Sequence, residues 1–200
     1  MFNSKINFQD FHDYDSLIAD PETSKNLVTS YQDIFGDPQL WGETYSQQDI
    51  ENKLRDELSG NAGLRLCTTT EPKSNKNKLL GFCWAQQLEL NGVKKAIESI
   101  QYYKAIGSPK IQETLKQILN DKPVLYMHDL GITKSYRGRV SLQKLICPAL
   151  NSLAQRSQTN RLLFWSIKES RIFRLAEFAG FKLVATVEGM QFFIGDIDIC

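Results

Sequence analysis

One stretch constrains this chain more than any other: VLYMHDLGITKSYRGRVSLQKLI, Val124 to Ile146. An apolar run with strand character stops at Thr133-Lys134-Ser135, passes through Arg137-Gly138-Arg139, and continues with helical spacing. A short strand-to-helix connection of this kind belongs to layered folds in which helices cover a sheet. Glycine at the turn lets the backbone come close to a ligand. The first-turn N–H groups of the following helix then face an anion, usually a phosphate. Arg137 and Arg139 add positive charge at the same mouth.

The rest of the chain supplies the other layers. SKNLVTSYQDIF places Leu27, Val28, Tyr31, Ile34 and Phe35 at helical spacing. In SQQDIENKLRDEL, Ser46 is a helix N-cap and Ile50, Leu54 and Leu58 share one face. GLRLCTTT (63–70) and LLGFCWAQQLEL (79–90) read as two strands around the polar loop EPKSNKNK. AIESIQYYKAI and SPKIQETLKQIL read as two helices joined at Gly107-Ser108-Pro109, with Pro109 suited to a first helical turn. The helix from Arg139 runs toward Arg156, and Pro148 inside it predicts a kink or a local break. RLLFWSI is a buried strand, and SRIFRLAEFAG a helix capped at Gly180. FKLVATVEG and MQFFIGDI are closing strands around Glu188-Gly189. The alternation gives an α/β (mixed α+β) class with one parallel βαβ unit from Val124 to Ile167.

Two hundred residues with 42% hydrophobic content suit one domain, 1–200, with a substantial core. A net charge of +1 argues against nucleic acid as a partner. No apolar run reaches the roughly 18 residues of a membrane span, and MFNSKINFQDFHDYD lacks a signal-peptide layout. The four cysteines form no CxxC pair and there are only two histidines, so no metal site is expected. The expectation is a cytoplasmic protein with reduced thiols.

With these elements in place, the chain resembles the GNAT acetyltransferase superfamily, enzymes that move an acetyl group from acetyl-CoA to an amine. The resemblance rests on Asp129-Leu130-Gly131-Ile132 through Tyr136-Arg137-Gly138, on the loop Ser135-Tyr136-Arg137-Gly138-Arg139-Val140, and on Ala179-Gly180-Phe181 closing a later helix. Three positions depart from the family pattern. Ser135 stands where Gln or Arg is usual, Val140 where Gly or Ala is usual, and Ala176 where many members carry a tyrosine acid. The resemblance implies a central mixed, mostly antiparallel sheet of about seven strands flanked by helices. It places a helical insertion, 91–122, before the fourth strand, and splays that strand from the one at Arg161–Ile167. It also implies acetyl-CoA as co-substrate. The pantetheine arm would lie along Leu130, Gly131 and Ile132, and the pyrophosphate would meet the amides of Arg137, Gly138, Arg139, Val140, Ser141 and Leu142.

Acetyl transfer to an amine needs a proton acceptor. His128 is the candidate base, at a position where the family often has Glu. Strand alternation puts Tyr126, His128 and Leu130 on one face and Asp129 on the other. Tyr126 is a candidate acid or wall of the acceptor site. In Asp37 to Ser46, a Pro-x-x-Trp-x-Glu pattern like that of several GNAT enzymes makes Trp41, Glu43 and Tyr45 candidates for an aromatic, acidic mouth that receives a cationic amine. The 91–122 insertion would lie over that side as a lid. The acceptor is a small-molecule or protein amine, with a homodimer among the assemblies left open. Two readings compete: an N-acetyltransferase, and a catalytically degenerate GNAT-like module that binds acyl-CoA or a protein partner, favoured by Val140 and Ala176.

Overall fold

Side chains mark where the first helices begin. Asp13 accepts from the Ser16 amide at the start of α1 (Tyr14–Ile18), and Asp20 accepts from Thr23 N at 3.1 Å ahead of α2 (Pro21–Phe35), whose first residue is proline. Ser46 and Asp49 form a reciprocal capping box for α3 (Gln47–Glu57). The computed structural model describes residues 6–37, 43–70, 77–100, 109–168 and 180–197, together with 170, 172 and 176. Trp41, the loop at 71–76, and most of the helix expected at 170–180 lie outside the described residues.

The described strands are β1 (Ile6–Phe11), β2 (Ala62–Thr70), β3 (Asn77–Leu88), β4 (Val124–Ile132), β5 (Arg161–Ile167), β6 (Lys182–Val187) and β7 (Met190–Asp196). They form a seven-stranded sheet in the order β1-β2-β3-β4-β5-β7-β6, antiparallel except between β4 and β5. Those two parallel strands pair only at Leu125↔Leu162 and Tyr126↔Leu163, then separate, so the expected splay is present.

Helices cover both faces. α2 and α3 bury Leu27, Tyr31, Ile50 and Leu54 against Leu64, Phe82 and Trp84. Beside them, α4 (Leu90–Glu98) and α5 (Pro109–Leu119) bury Val93, Ile97, Ile111 and Leu115 with Tyr126, Leu163 and Phe192. On the other face, α6 (Leu142–Ser157) places Leu145, Leu150 and Leu153 with Cys83, Leu125, Met127 and Phe193.

Several element boundaries differ from the sequence reading. β3 ends at Leu88 and α4 starts at Leu90, six residues before Ala96. Leu90, Val93 and Ile97 carry the helical phase there, and Gly92 inside the turn masked it. α6 begins at Leu142 rather than Arg139, behind a 3₁₀ turn at Lys134–Tyr136, with Ser141 as its N-cap. It also runs through Pro148 without a break. Proline at 148 has no N–H for the Lys144 carbonyl four residues back. Arg65 Nε, reaching over from β2, donates to that carbonyl at 2.9 Å. Cys67 and Cys83 are buried free thiols, whereas Cys147 is disulfide-bonded, contrary to the expectation of reduced thiols throughout. Among the described residues no helix is long and apolar enough to cross a membrane.

Candidate active site at the splay of β4 and β5

Opposite β3, β4 carries one residue too many. Trp84 pairs with Asp129 and Ala85 with Met127, which leaves His128 as the extra residue of a β-bulge. An inserted residue shifts the two-residue alternation by one. Val124 and Tyr126 face α4 and α5. His128 and Asp129 both turn toward α3, and Leu130 and Ile132 pack on the α6 face. The sequence expectation of Tyr126, His128 and Leu130 on one face with Asp129 opposite is therefore corrected. His128 and Asp129 are neighbours on the same side, and Leu130 is on the other.

Two charged residues of α3 meet this bulge. Ile50, Lys53, Leu54, Glu57 and Leu58 share the helix face that packs on the sheet. Lys53 Nζ lies 2.6 Å from Glu57 Oε1 and 3.2 Å from Asp129 Oδ2. Glu57 Oε1 also lies 3.1 Å from His128 Nδ1, and its Oε2 accepts from the Trp84 indole at 2.7 Å. Nε2 of His128 faces Gln86 Oε1 at 3.3 Å, and the edge of the Tyr126–His128 ring pair closes at 4.9 Å between centroids. Tyr31 donates to Asp129 Oδ2 at 3.4 Å. Glu43 and Tyr45, bonded to each other at 2.9 Å, approach through the Tyr31 ring, 5.3 Å from that of Tyr45. Glu43 and Tyr45, expected from the 37–46 segment, are thus linked through Tyr31 to Asp129. Lys53, Glu57 and Gln86 were missed. Their signal was available for α3: two charges in phase with its apolar stripe.

Burial and charge divide the acids of this cluster. Burial opposes ionisation of Glu57, but His128 and Lys53 outweigh it and hold the carboxyl down at about 2. Burial pushes Asp129 up to about 7; Lys53 offsets part of this, while Glu57 and Glu43 add to it. Burial also opposes the charge on Lys53, yet Asp129 and Glu57 together raise its pKa. Tyr126 is raised chiefly by burial, and its hydroxyl makes no well-formed hydrogen bond, with Trp165 the neighbouring donor. Among the described residues no three His, Cys, Asp or Glu side chains are grouped as a metal ion would need.

After β4 ends at Ile132, the chain enters the loop Thr133–Ser141. Gly138 holds φ +82°, a left-handed conformation that side chains rarely adopt, and a Cβ there would meet nothing within 4 Å. The amides of Arg139 and Val140 donate to the Tyr136 carbonyl at 3.0 and 3.3 Å. Those of Gly138, Ser141 and Leu142 make no hydrogen bond among the described residues. The first turn of α6 carries no acidic residue, so the positive end of the helix faces the loop without opposition. Arg139 is exposed, and Arg137 anchors the loop through Nε to the Ile132 carbonyl at 3.2 Å. The Val140 side chain is buried in the core under α6 rather than facing the loop. A Cβ on Gly131 would strike the Phe82 ring at 2.5 Å, which accounts for the glycine in β4.

No family model matches the sequence, and no curated protein matches it. Solved structures do match, over nearly the whole chain. NAA60 of Arabidopsis thaliana, solved with acetyl-CoA, superposes with a TM-score of 0.57 at 16% identity, covering 97% of this chain and 99% of that one. The fold is that of the GNAT N-acetyltransferases. A Drosophila melanogaster polyamine N-acetyltransferase with the same GNAT fold gives 0.55 at 15% identity, covering 96% and 100%. The PaiA N-acetyltransferase of Thermoplasma acidophilum, solved with coenzyme A, gives 0.53 at 12%, covering 96% and 99%. Within this GNAT fold, the splay, the bulge and the loop before α6 sit on consecutive stretches of one chain segment, residues 124–142.

Proposed function

We propose that the protein is an acetyl-CoA-dependent N-acetyltransferase acting on an amine. One observation carries this reading: β4 and β5 part just after Tyr126 and Leu163, and the parting is lined at once by the His128–Asp129 bulge on one side and leads to the loop before α6 on the other. Acetyl-CoA, when bound, supplies the acetyl group as a thioester. The residues present suit it. Beyond Tyr126, the β4 edge that faces β5 has no strand partner among the described residues, and Leu130, Gly131 and Ile132 would bond an extended arm there. The amides of Gly138, Ser141 and Leu142 and the charges of Arg137 and Arg139 are placed to hold a pyrophosphate, and the amides of Arg139 and Val140 serve by bracing the turn.

On the acceptor side, Glu43 and Tyr45 form an aromatic, acidic wall that attracts a cationic amine. Trp41 belongs to the same segment by sequence. His128, Asp129 and Tyr126 line the corner in which the amine loses its proton. One of the structures named above is a polyamine N-acetyltransferase, and the acceptor here is a small-molecule or protein amine. The competing reading, a module that binds acyl-CoA or a protein without transfer, rests on Ala176, which is buried in the core where the family tyrosine would stand.

Thiol release from acetyl-CoA, followed with a panel of primary amines, separates the two. Amine-dependent release that disappears when Asp129 and His128 are both replaced supports transfer. Saturable CoA binding with no amine-dependent release across the panel supports the binding module.

A further inference from the structure

We propose that Asp129 takes the proton from the acceptor amine, and that His128 is a positioning residue which fixes the carboxylates around it; this rests on the acetyltransferase reading above. The geometry at His128 engages both ring nitrogens inside the protein. Its side chain is 3% exposed, and Nδ1 faces Glu57 Oε1 at 3.1 Å. Nε2 faces Gln86 Oε1 at 3.3 Å. The orientation of the Gln86 amide is set from behind: its nitrogen lies 2.8 Å from the Ser59 carbonyl, which can only accept, and 3.3 Å from the Ser59 hydroxyl. Both ring nitrogens therefore face acceptors within the protein, and neither is open to a substrate amine.

Asp129 is built differently. Its side chain is 12% exposed. Oδ2 is taken by Lys53 Nζ at 3.2 Å and the Tyr31 hydroxyl at 3.4 Å, while Oδ1 makes no hydrogen bond among the described residues. The groups facing it are Lys53 and Glu57 from α3, Tyr31 from α2, Glu43 and Tyr45 from the following segment, Cys83 from β3, and His128 beside it. Burial and the shared cation hold it near 7, where both forms coexist at neutral pH, as a base requires. In the step, an N–H bond of the acceptor ammonium breaks and an O–H bond forms at Oδ1. The carboxylate becomes a carboxylic acid and the ammonium a neutral amine with its lone pair free. The proton then passes to solvent through the exposed side of Asp129. His128 acts through Glu57, and Glu57 through Lys53, to keep Oδ1 free.

The test joins an activity profile to a measurement that needs no activity. In protein labelled with ¹³C-carboxyl aspartate, one resonance titrates near 7 and is absent in Asp129→Asn. With saturating acetyl-CoA and either n-butylamine or spermidine as acceptor, kcat/KM rises with pH through the same midpoint. Asp129→Asn loses that rise and about 10²–10³-fold of the rate at neutral pH, whereas His128→Gln loses less and keeps the rise. An Asp129 resonance that titrates below 5 overturns the proposal whatever the activity, as does a rise that survives Asp129→Asn and vanishes in His128→Gln. If the resonance titrates near 7 but neither these amines nor a peptide with a free N-terminus and a lysine is acetylated, the acetyltransferase reading fails and this role for Asp129 fails with it.

Discussion

Arg65 fills the place in α6 that Pro148 leaves empty. The proline cannot donate to the Lys144 carbonyl, and the guanidinium Nε does so from β2 at 2.9 Å. Arg65 also pairs with Asp10 and lies over the Phe8 ring at 4.9 Å, so one side chain joins β1, β2 and α6. Arg65→Met is expected to destabilise the protein by about 1–3 kcal/mol. In a Pro148→Ala background, where the helix regains its own donor, the same change should cost measurably less. Denaturant midpoints of the two single variants and the double variant check this; strict additivity would break the link between the residues.

Glu57 sets an acid limit on stability. Its folded-state pKa is depressed from 4.5 to about 2, so its contribution is present above 4.5 and is lost as the pH falls toward 2. That contribution is at most about 3 kcal/mol. Glu57→Gln should flatten the decline of unfolding free energy between pH 4.5 and 2, measured by urea denaturation. An unchanged slope would show that the carboxyl is not ionised against Lys53 and His128 as the distances require.

Asp129 has the opposite sign. Its folded-state pKa is raised from 3.8 to about 7, so its contribution is present below 3.8 and is lost as the pH rises to 7. Asp129→Asn should therefore gain stability relative to the parent between pH 4 and 7, whatever offset it shows from losing Lys53. Urea midpoints at pH 5, 6, 7 and 8 for both proteins measure the difference. A variant-minus-parent difference that stays constant or falls with rising pH contradicts the assignment.

Val140 is core. Its side chain is 6% exposed and packs with residues such as Leu145 beneath α6. Val140→Ala should cost about 1–3 kcal/mol in unfolding free energy and leave CoA affinity unchanged. A stable variant with altered CoA affinity would place the side chain at the loop surface instead.

Most helices and strands, and the turn at Gly138, were legible because each rests on local signals: apolar periodicity, N-caps, and a glycine where φ must be positive. What escaped the sequence was a single extra residue. The bulge at His128 leaves no mark in composition or spacing, yet it moves Asp129 to the face of His128 and Leu130 away from it. Lys53 and Glu57 were hidden for a different reason. Charges in an apolar helical stripe read as solvated edge residues until the sheet supplies His128, Asp129 and Trp84 as their partners. Pro148 does not interrupt the helix, and Arg65, some eighty residues earlier in the chain, donates to the carbonyl it leaves unpaired.

The most direct measurement is titration calorimetry of the intact protein with CoA, alongside Gly138→Pro. Proline fixes φ near −65°, whereas the loop holds Gly138 at +82°. Saturable binding of one CoA per chain, weakened at least about tenfold in Gly138→Pro, is the expected result. An intact protein that binds no CoA would contradict the placement of an acetyl donor at the splay of β4 and β5.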